Sequence, residues 1–349
     1  MAASSADASA TYRAGREAAL LLDAGNRSRL RFSGSARGKF LHRITTGDIN
    51  ALGPGEVAPT LLITGKGRLM DRLTVLCGSE ELTLISSAGA GDLARETLSR
   101  YVVFDDVVIT DLAPSTCLLE LHGPQAGRVL TAAGGPQVAA GSHAEATLAG
   151  VPITVAAEVG LEGPGLLILG PAEQRQDLMD HLLAAGADSG LVMANPAGWE
   201  ALRIEAGLVA VGSEISEDWN PLEMRQEDAL SFAKGCYVGQ EVIARLRTYD
   251  RVKRRLWRVT FAGSQALPAG TRVHAAPGDG VITSAAGIPG EDRSVALAVL
   301  PGDDPAPGGE VIAMTEAGER LGEIVGPPPT HADMRAAPPE PLGRRRFGN

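Results

Sequence analysis

The chain of 349 residues is poor in cysteine: Cys77, Cys117 and Cys236 are far apart and odd in number. Neither a disulfide framework nor a four-thiolate metal site can be built from one such chain. Aromatic residues make up only 4%, so the core is expected to be aliphatic and each aromatic side chain stands out. No apolar run approaches the roughly 20 residues that cross a bilayer, and Met1 to Arg16 lacks the apolar stretch of a secretory signal. No membrane partner is expected, and a cytoplasmic location is the default. Positive charge is also in deficit. The 32 Lys and Arg against 42 Asp and Glu give a net charge of -10 and a pI near 5.2, which argues against direct nucleic-acid binding.

What is present reads as an ordinary globular chain. Hydrophobic residues are 44%, charged residues 21% and the mean hydropathy is +0.03, with 43 Gly and 22 Pro marking many turns. The length allows two or three domains. From Asn26 to about Arg254, short β-branched runs alternate with amphipathic helical stretches, a mixed α/β pattern. Within it, Arg29 to Leu41 (RLRFSGSARGKFL) returns 89 positions later as Leu118 to Leu130 (LLELHGPQAGRVL), with Gly34 matched to Gly123 and Gly38 to Gly127. Each copy reads as strand, glycine turn, helix. The segments Leu73 to Cys77, Leu82 to Ser86 and Gly91 to Arg100 have a looser echo in Val151 to Ala157, Leu166 to Leu169 and Ala172 to Ala185. Two related lobes would explain both echoes. After Trp257 the helical spacing vanishes, and strands near 257–261, 280–285, 295–300 and 310–313, separated by Pro and Gly, fit a small antiparallel barrel or sandwich. The Pro-rich stretch from Pro327 onward and the first dozen residues read as loose ends.

Few motifs carry chemistry. Gly89, Gly91 and Ala94 have a G-x-G-x-x-A spacing, but Asp105 and Asp106 arrive too early for a dinucleotide fold, and a plain strand-to-helix turn is expected. Gly65 and Gly67 miss the P-loop pattern. The six histidines, His122 among them, show no paired ligand spacing and read as surface or core residues, and no G-x-S-x-G elbow occurs. The informative stretch is KGCYVGQE, Lys234 to Glu241, followed by a run that reads as a helix. Cys236 just ahead of a helix and two residues from Lys234 has surroundings that favour a thiolate, hence a reactive or ligating sulfur; the competing reading is a small buried apolar residue. Upstream, Arg203 to Gly207 (RIEAG) leads to Asn220 to Glu223 (NPLE), where a proline aims a carboxylate suited to an amino-pyrimidine edge, or to plain solvation at a turn. Downstream, Arg245, Arg247, Arg251, Lys253, Arg254, Arg255 and Arg258 form a basic stretch that fits small carboxylate-bearing ligands or a solvated linker.

On these residues the chain resembles the YgfZ-type folate-binding proteins, whose K-G-C-Y-x-G-Q-E signature is complete here as Lys234, Gly235, Cys236, Tyr237, Gly239, Gln240 and Glu241. From about Tyr12 to Pro327 it is similar to the wider superfamily of the glycine-cleavage T-protein, an aminomethyltransferase; the segments 29–48, 203–223, 280–284 (GVITS) and 296–300 carry that likeness. The resemblance implies an α+β chain: a first α/β lobe at 12–115, a second related lobe at 116–254, a small C-terminal antiparallel β-barrel at 255–326, and flexible ends at 1–11 and 327–349. It also implies a central pocket for tetrahydrofolate or a one-carbon derivative. Glu223, with Asn220 of the same turn, matches the pterin-recognising region, and Arg254 or Arg255 the region that meets the folate tail. Asp71 in GRLMDRLTV matches the region of the T-protein's acidic pair, here Asp71 followed by Arg72. Where the T-protein has an aromatic residue this chain has Val211, and where it has an acid this chain has Cys236. The implied function is a folate-binding factor for iron-sulfur cluster assembly or repair in client enzymes, tRNA-modifying ones included, acting through Cys236. One such cysteine cannot hold a cluster alone, so no stably bound metal is expected. The rival readings are a folate-dependent aminomethyltransferase or methyltransferase using Asp71, and a regulatory folate-binding module.

Overall fold

The repeat seen in the sequence is a repeat in space. In a computed structural model that describes residues 7–161, 163–302, 306–316 and 318–329, the strands Arg29–Ser33 and Thr116–His122 each run into a left-handed glycine and then a helix, Arg37–Ile44 and Ala126–Ala132 respectively. Gly34 has φ +98° and Gly123 φ +99°. A Cβ would lie 2.2 Å from the Asp106 carbonyl oxygen at Gly34 and 2.8 Å from that of Ala18 at Gly123, so only glycine fits either turn. Alternation along each strand sends matched apolar residues, Leu30 and Phe32 or Leu119 and Leu121, beneath the following helix into separate cores.

The looser echo also corresponds to real structure. The first sheet has the order Val57–Ile63, Leu69–Cys77, Leu82–Ile85, Arg29–Ser33, Val108–Asp111, all antiparallel. The second repeats it as His143–Leu148, Val151–Val159, Pro164–Pro171, Thr116–His122, Ala19–Asp23, and adds Leu191–Met193 parallel to the last of these. The helices Gly91–Arg100 and Arg175–Gly186 follow equivalent strands. The antiparallel pairing of Leu82–Ile85 agrees with reading Gly89 to Ala94 as a plain turn. The sheets are stitched at one corner, where Val57 N donates to Gly141 O and His143 N to Gly55 O, both at 2.8 Å.

Two boundaries differ from the sequence reading. Residues 8–11, expected to be loose, form the first turn of the helix Ala8–Glu17, capped by Asp7 accepting from Ala10 N at 2.6 Å, with Thr11 buried. The first lobe does not begin at 12, because this helix packs on Pro196–Ala206 and the next strand, Ala19–Asp23, lies in the second sheet. Its Ala19, Leu20 and Leu21 are wholly buried, and a buried strand must pair its backbone, here with residues 119–122 and 191–193.

The strands expected near 257–261, 280–285, 295–300 and 310–313 are Arg254–Ala262, Gly278–Gly287, Arg293–Pro301 and Glu310–Thr315. Arg272–Ala275 and Gly318–Gly326 complete the set, and pairing of the last with Arg254–Ala262 closes a six-stranded antiparallel barrel, settling barrel over sandwich. Behind the cavity described next, Leu20, Leu61, Leu202, Ile204, Trp219 and Leu297 form one core drawn from both lobes and the barrel. Each such side chain contributes about 1.5–3 kcal/mol.

Candidate functional site

Between the cavity faces of the two sheets and the helix Pro196–Ala206 lies a cavity of about 630 Å³, a volume typical of small-molecule sites. Its polar wall comes from the second sheet. The strand Thr116–His122 buries Leu119 and Leu121 on one face, so Glu120 and His122 are presented on the other, toward the cavity. Arg27 crosses from the first lobe to meet them. Its Nη1 bonds Glu120 Oε1 at 2.6 Å and Glu158 Oε1 at 2.5 Å, its Nη2 bonds Glu158 Oε2 at 3.1 Å, and its Nε bonds Ser86 O at 2.8 Å. Thr74 Oγ1 donates to Glu158 Oε2 at 2.6 Å. Burial opposes the charge on Glu120, but the Arg27 guanidinium and the bond to His122 overcome it and hold that carboxyl down at about 2. Burial likewise opposes the charge on Arg27, and the two glutamates more than restore it.

His122 Nε2 is 3.0 Å from Glu120 Oε2, and the imidazole lies 4.8 Å from the Trp199 ring. Its Nδ1 is buried with no hydrogen-bond partner among the described residues. Across the cavity, Arg72 holds Asp228 through two bonds, at 3.0 and 2.8 Å, and Gln226 Oε1 at 2.7 Å. On the helix side Arg203 Nε bonds Glu200 at 2.7 Å and its Nη2 bonds Ser284 Oγ at 3.1 Å. Ser284 and Thr283 in turn donate to the buried Glu214 at 2.7 and 2.5 Å. The RIEAG and GVITS segments singled out in the sequence therefore meet at one wall.

Asp71 and Arg72 are separated by strand alternation: Arg72 lines the cavity and Asp71 does not. Asp71 is wholly buried, accepts from Ser87 N at 3.2 Å through Oδ1, and has no partner for Oδ2 among the described residues. Burial pushes its carboxyl up to about 7, against the bonds from Ser87 and the charge of Arg27. It is therefore a buried acid behind the cavity wall, one residue from a cavity-facing arginine.

The KGCYVGQE stretch lies elsewhere. The helix expected after it is Gln240–Thr248. Lys234, expected to support the thiolate, is instead an anchor: its Nζ donates to the carbonyls of His42, Thr45 and Gly47 at 2.5, 2.5 and 2.7 Å, at the buried C-terminal end of the helix Arg37–Ile44. Burial lowers its ammonium to about 8. Tyr237 is buried beside it, with Lys234 Nζ 5.0 Å from its ring centre, and a Cβ at Gly239 would lie 2.5 Å from Thr64 O, pinning the loop on the first lobe. Gly235 and Cys236 stay exposed, Gln240 is half-buried, and Glu241 is exposed and paired with Arg245. Cys236 is solvent-accessible, as a working thiol requires, but it precedes the helix cap Gly239 by three residues and does not line the cavity.

Glu223, Asn220, Arg254 and Arg255 also stay outside the cavity lining. Asn220 Oδ1 accepts from Leu222 N and Glu223 N, both at 3.0 Å, and Glu223 returns a bond to Asn220 N at 3.0 Å, so the NPLE turn closes on itself. The other Glu223 oxygen accepts from Arg254 Nε at 2.8 Å, and Arg255 bonds Glu227 at 2.8 Å. These groups recognise one another. The residues that sequence reasoning missed are Arg27, Arg72, Glu120, His122, Glu158 and Trp199. One signal was available: in LLELHG two polar residues alternate with leucines, the pattern of a strand with a functional face.

Two lobes of equal strand order backed by a closed barrel define the T-protein class of fold. The chain belongs to the family of the GCVT N-terminal domain, whose model matches residues 3–234. It is 32% identical over 244 residues to the "Putative transferase At1g60990, chloroplastic" of Arabidopsis thaliana, over 68% of this chain and 55% of that protein. With the aminomethyltransferase of Chlorobium luteolum it shares 28% identity, over 66% of this chain and 65% of the relative. The matched part thus spans about half to two thirds of these relatives. The aminomethyltransferase of Mycobacterium avium aligns over 91% of this chain and 87% of its own length at 28% identity. The glycine cleavage system aminomethyltransferase T of Bartonella henselae has the same fold, with a TM-score of 0.80 at 22% identity over 94% of this chain and 90% of that one. Among the described residues no helix is long and apolar enough to cross a membrane, and no group of three or more metal-ligating side chains occurs.

Proposed function

We propose that the protein binds a tetrahydrofolate species in the central cavity and serves iron-sulfur cluster assembly or repair in client enzymes, tRNA-modifying ones included, through Cys236. The observation that carries this reading is the separation of two sites on one frame. A ligand-sized cavity lies between the lobes, while an anchored loop holds a free thiol in solvent where another protein can reach it. What supports a folate there is the ligand-sized volume and a lining that sets the Trp199 ring beside polar and charged groups, with Arg72 and Arg203 each held in place by an acid. When bound, a reduced folate supplies nitrogens that carry one-carbon units. This chain's own part is to exclude water, orient the ring and fix the surrounding charges. Cys236 makes the transient sulfur or iron contact with the client, and a cytoplasmic location accompanies this reading.

In cells lacking this protein, Cys236→Ala is expected to leave the melting curve unchanged and to fail to restore a cluster-dependent enzyme. Full restoration overturns the assignment to Cys236. A second reading, a folate-dependent aminomethyltransferase or methyltransferase, is favoured by one feature, the buried Asp71 behind Arg72, its carboxyl pushed up by burial. Turnover of tetrahydrofolate with an aminomethyl donor, lost in Asp71→Asn, decides for it.

A further inference from the structure

The two sheets are unequal at one edge. In the second, Ala19–Asp23 is covered by the parallel strand Leu191–Met193, whereas its counterpart Val108–Asp111 ends the first sheet, and among the described residues no strand pairs with its outer side. The registers with Thr116–His122 and Arg29–Ser33 match Leu20 to Val108, Leu21 to Ile109 and Asp23 to Asp111. Leu20 is wholly buried, but Val108 is 58% exposed. Leu21 O accepts from Ala194 N at 2.9 Å, a bond of the covering segment. Leu112 N donates to Arg29 O, so by antiparallel alternation Ile109 likewise turns its N–H and C=O away from its own sheet. Asp23 is paired with Arg175, whereas the exposed Asp111 has no ion pair among the described residues. The buried Arg29 acts on Asp111 through space, its Nη atoms being bonded to the carbonyls of Gly25, Arg27, Ala113 and Thr116.

A short edge strand ending in an acid is a common guard against sheet-to-sheet aggregation. This edge is flanked instead by apolar side chains held in solvent, Phe104 at 99% exposure and Val103 beside it. The loop that carries them is fixed from behind: Arg43 bonds Asp105 at 2.8 Å, Asp106 accepts from Ser35 N and Oγ at 2.9 and 2.6 Å, and Ala36 N donates to Asp106 O at 3.1 Å.

We propose that the outer side of Val108–Asp111 is a docking edge for an extended segment of a partner protein, added parallel to it as a sixth strand. The second lobe supplies the pattern of the occupant. Leu191, Val192 and Met193 stand opposite Ala19, Leu20 and Leu21, so the partner brings a short apolar run opposite residues 107–109. Continued in the same register, the residue two places further on stands opposite Asp111, and there the partner brings Lys or Arg, the charge that Arg175 gives to Asp23. A second copy of this chain offers at its own edge the same Val108–Asp111, which carries an acid and no cation. The occupant is therefore a different protein. This surface is independent of the folate cavity and of Cys236.

The test is fluorescence polarisation of the full chain with two labelled peptides. Both carry the sequence of residues 187–195, ADSGLVMAN, with the final asparagine replaced by lysine in one and by glutamate in the other. The wild type is expected to bind the lysine peptide saturably, about 2- to 5-fold tighter than the glutamate peptide. Ile109→Pro removes the outward N–H at a position where an edge strand tolerates proline, and is expected to weaken binding by about 10-fold or more. Should that variant fold poorly, Asp111→Lys, an exposed change, is expected to reverse the preference between the peptides. No saturable binding by the wild type up to about 1 mM peptide overturns the proposal. So does binding that is unchanged in folded Ile109→Pro, or a preference unchanged in Asp111→Lys. A wild-type dimer in sedimentation that Ile109→Pro dissociates assigns the edge to a second copy and overturns the choice of a different partner.

Discussion

The strands Arg29–Ser33 and Thr116–His122 are the same element built twice, and they differ on one face only. Beneath the helices the faces match, Leu30 with Leu119 and Phe32 with Leu121. On the other face, Arg31 of the first lobe is half-exposed and sits 3.6 Å from Glu81, whereas its counterpart Glu120 is buried in the cavity wall between Arg27 and His122. Helix packing fixed one face in both copies and left the other free. In the first lobe that face carries the buried Arg29 and the half-exposed Arg31, and in the second Glu120 and His122 of that face line the cavity. A duplicated lobe can thus acquire chemistry without disturbing the half that folds it.

The largest break in this comparison is expected from Arg27→Ala. Two buried glutamates would lose their shared counter-charge, at a cost of about 3–5 kcal/mol, read as a lowered urea midpoint. Next comes Asp71, a buried acid pushed in the opposite direction from Glu120. Its unfolded carboxyl titrates near 4 and its folded one at about 7. Its contribution to stability is therefore complete below about pH 4 and is lost as pH rises through 7. Asp71→Asn removes that loss, so melting curves should show the variant ahead of the wild type at pH 8, by up to about 4 kcal/mol, and level with it near pH 4. The two glycine turns sharpen the comparison further. Gly34→Ala faces a carbonyl at 2.2 Å and Gly123→Ala one at 2.8 Å, so the first should cost about 2–3 kcal/mol and the second about 1–2. The smallest effect is expected at Arg31→Ala, whose exposed pair with Glu81 is worth less than about 1 kcal/mol in the same denaturation series.

The lobes and the barrel were legible because each glycine turn and each alternating run reports a local constraint. The pairing of Ala19–Asp23 was not, since ALLLD satisfies either lobe and only three-dimensional competition assigns it. At the site, KGCYVGQE was visible, yet the split within it into anchors (Lys234, Tyr237, Gly239) and an exposed thiol was not, because Lys234 answers carbonyls almost 190 residues earlier. The partners of Glu223 were equally hidden: its two oxygens accept from Asn220 N, three residues away, and from Arg254 Nε, thirty-one residues on. The cluster of Arg27, Glu120, His122 and Glu158 joins distant segments through sheet register, which no single window of sequence contains.

The placement of Ala19–Asp23 has a consequence for how the molecule is made. A ribosome delivers this apolar strand early, yet its neighbours Leu119–His122 and Leu191–Met193 emerge about a hundred and about a hundred and seventy residues later. The first lobe can close on its own during translation while this segment waits, uncovered, for the second. A nascent chain stalled near residue 115 would hold a finished lobe with an unpaired sticky strand at its start, the form in which chaperone capture or aggregation should be greatest.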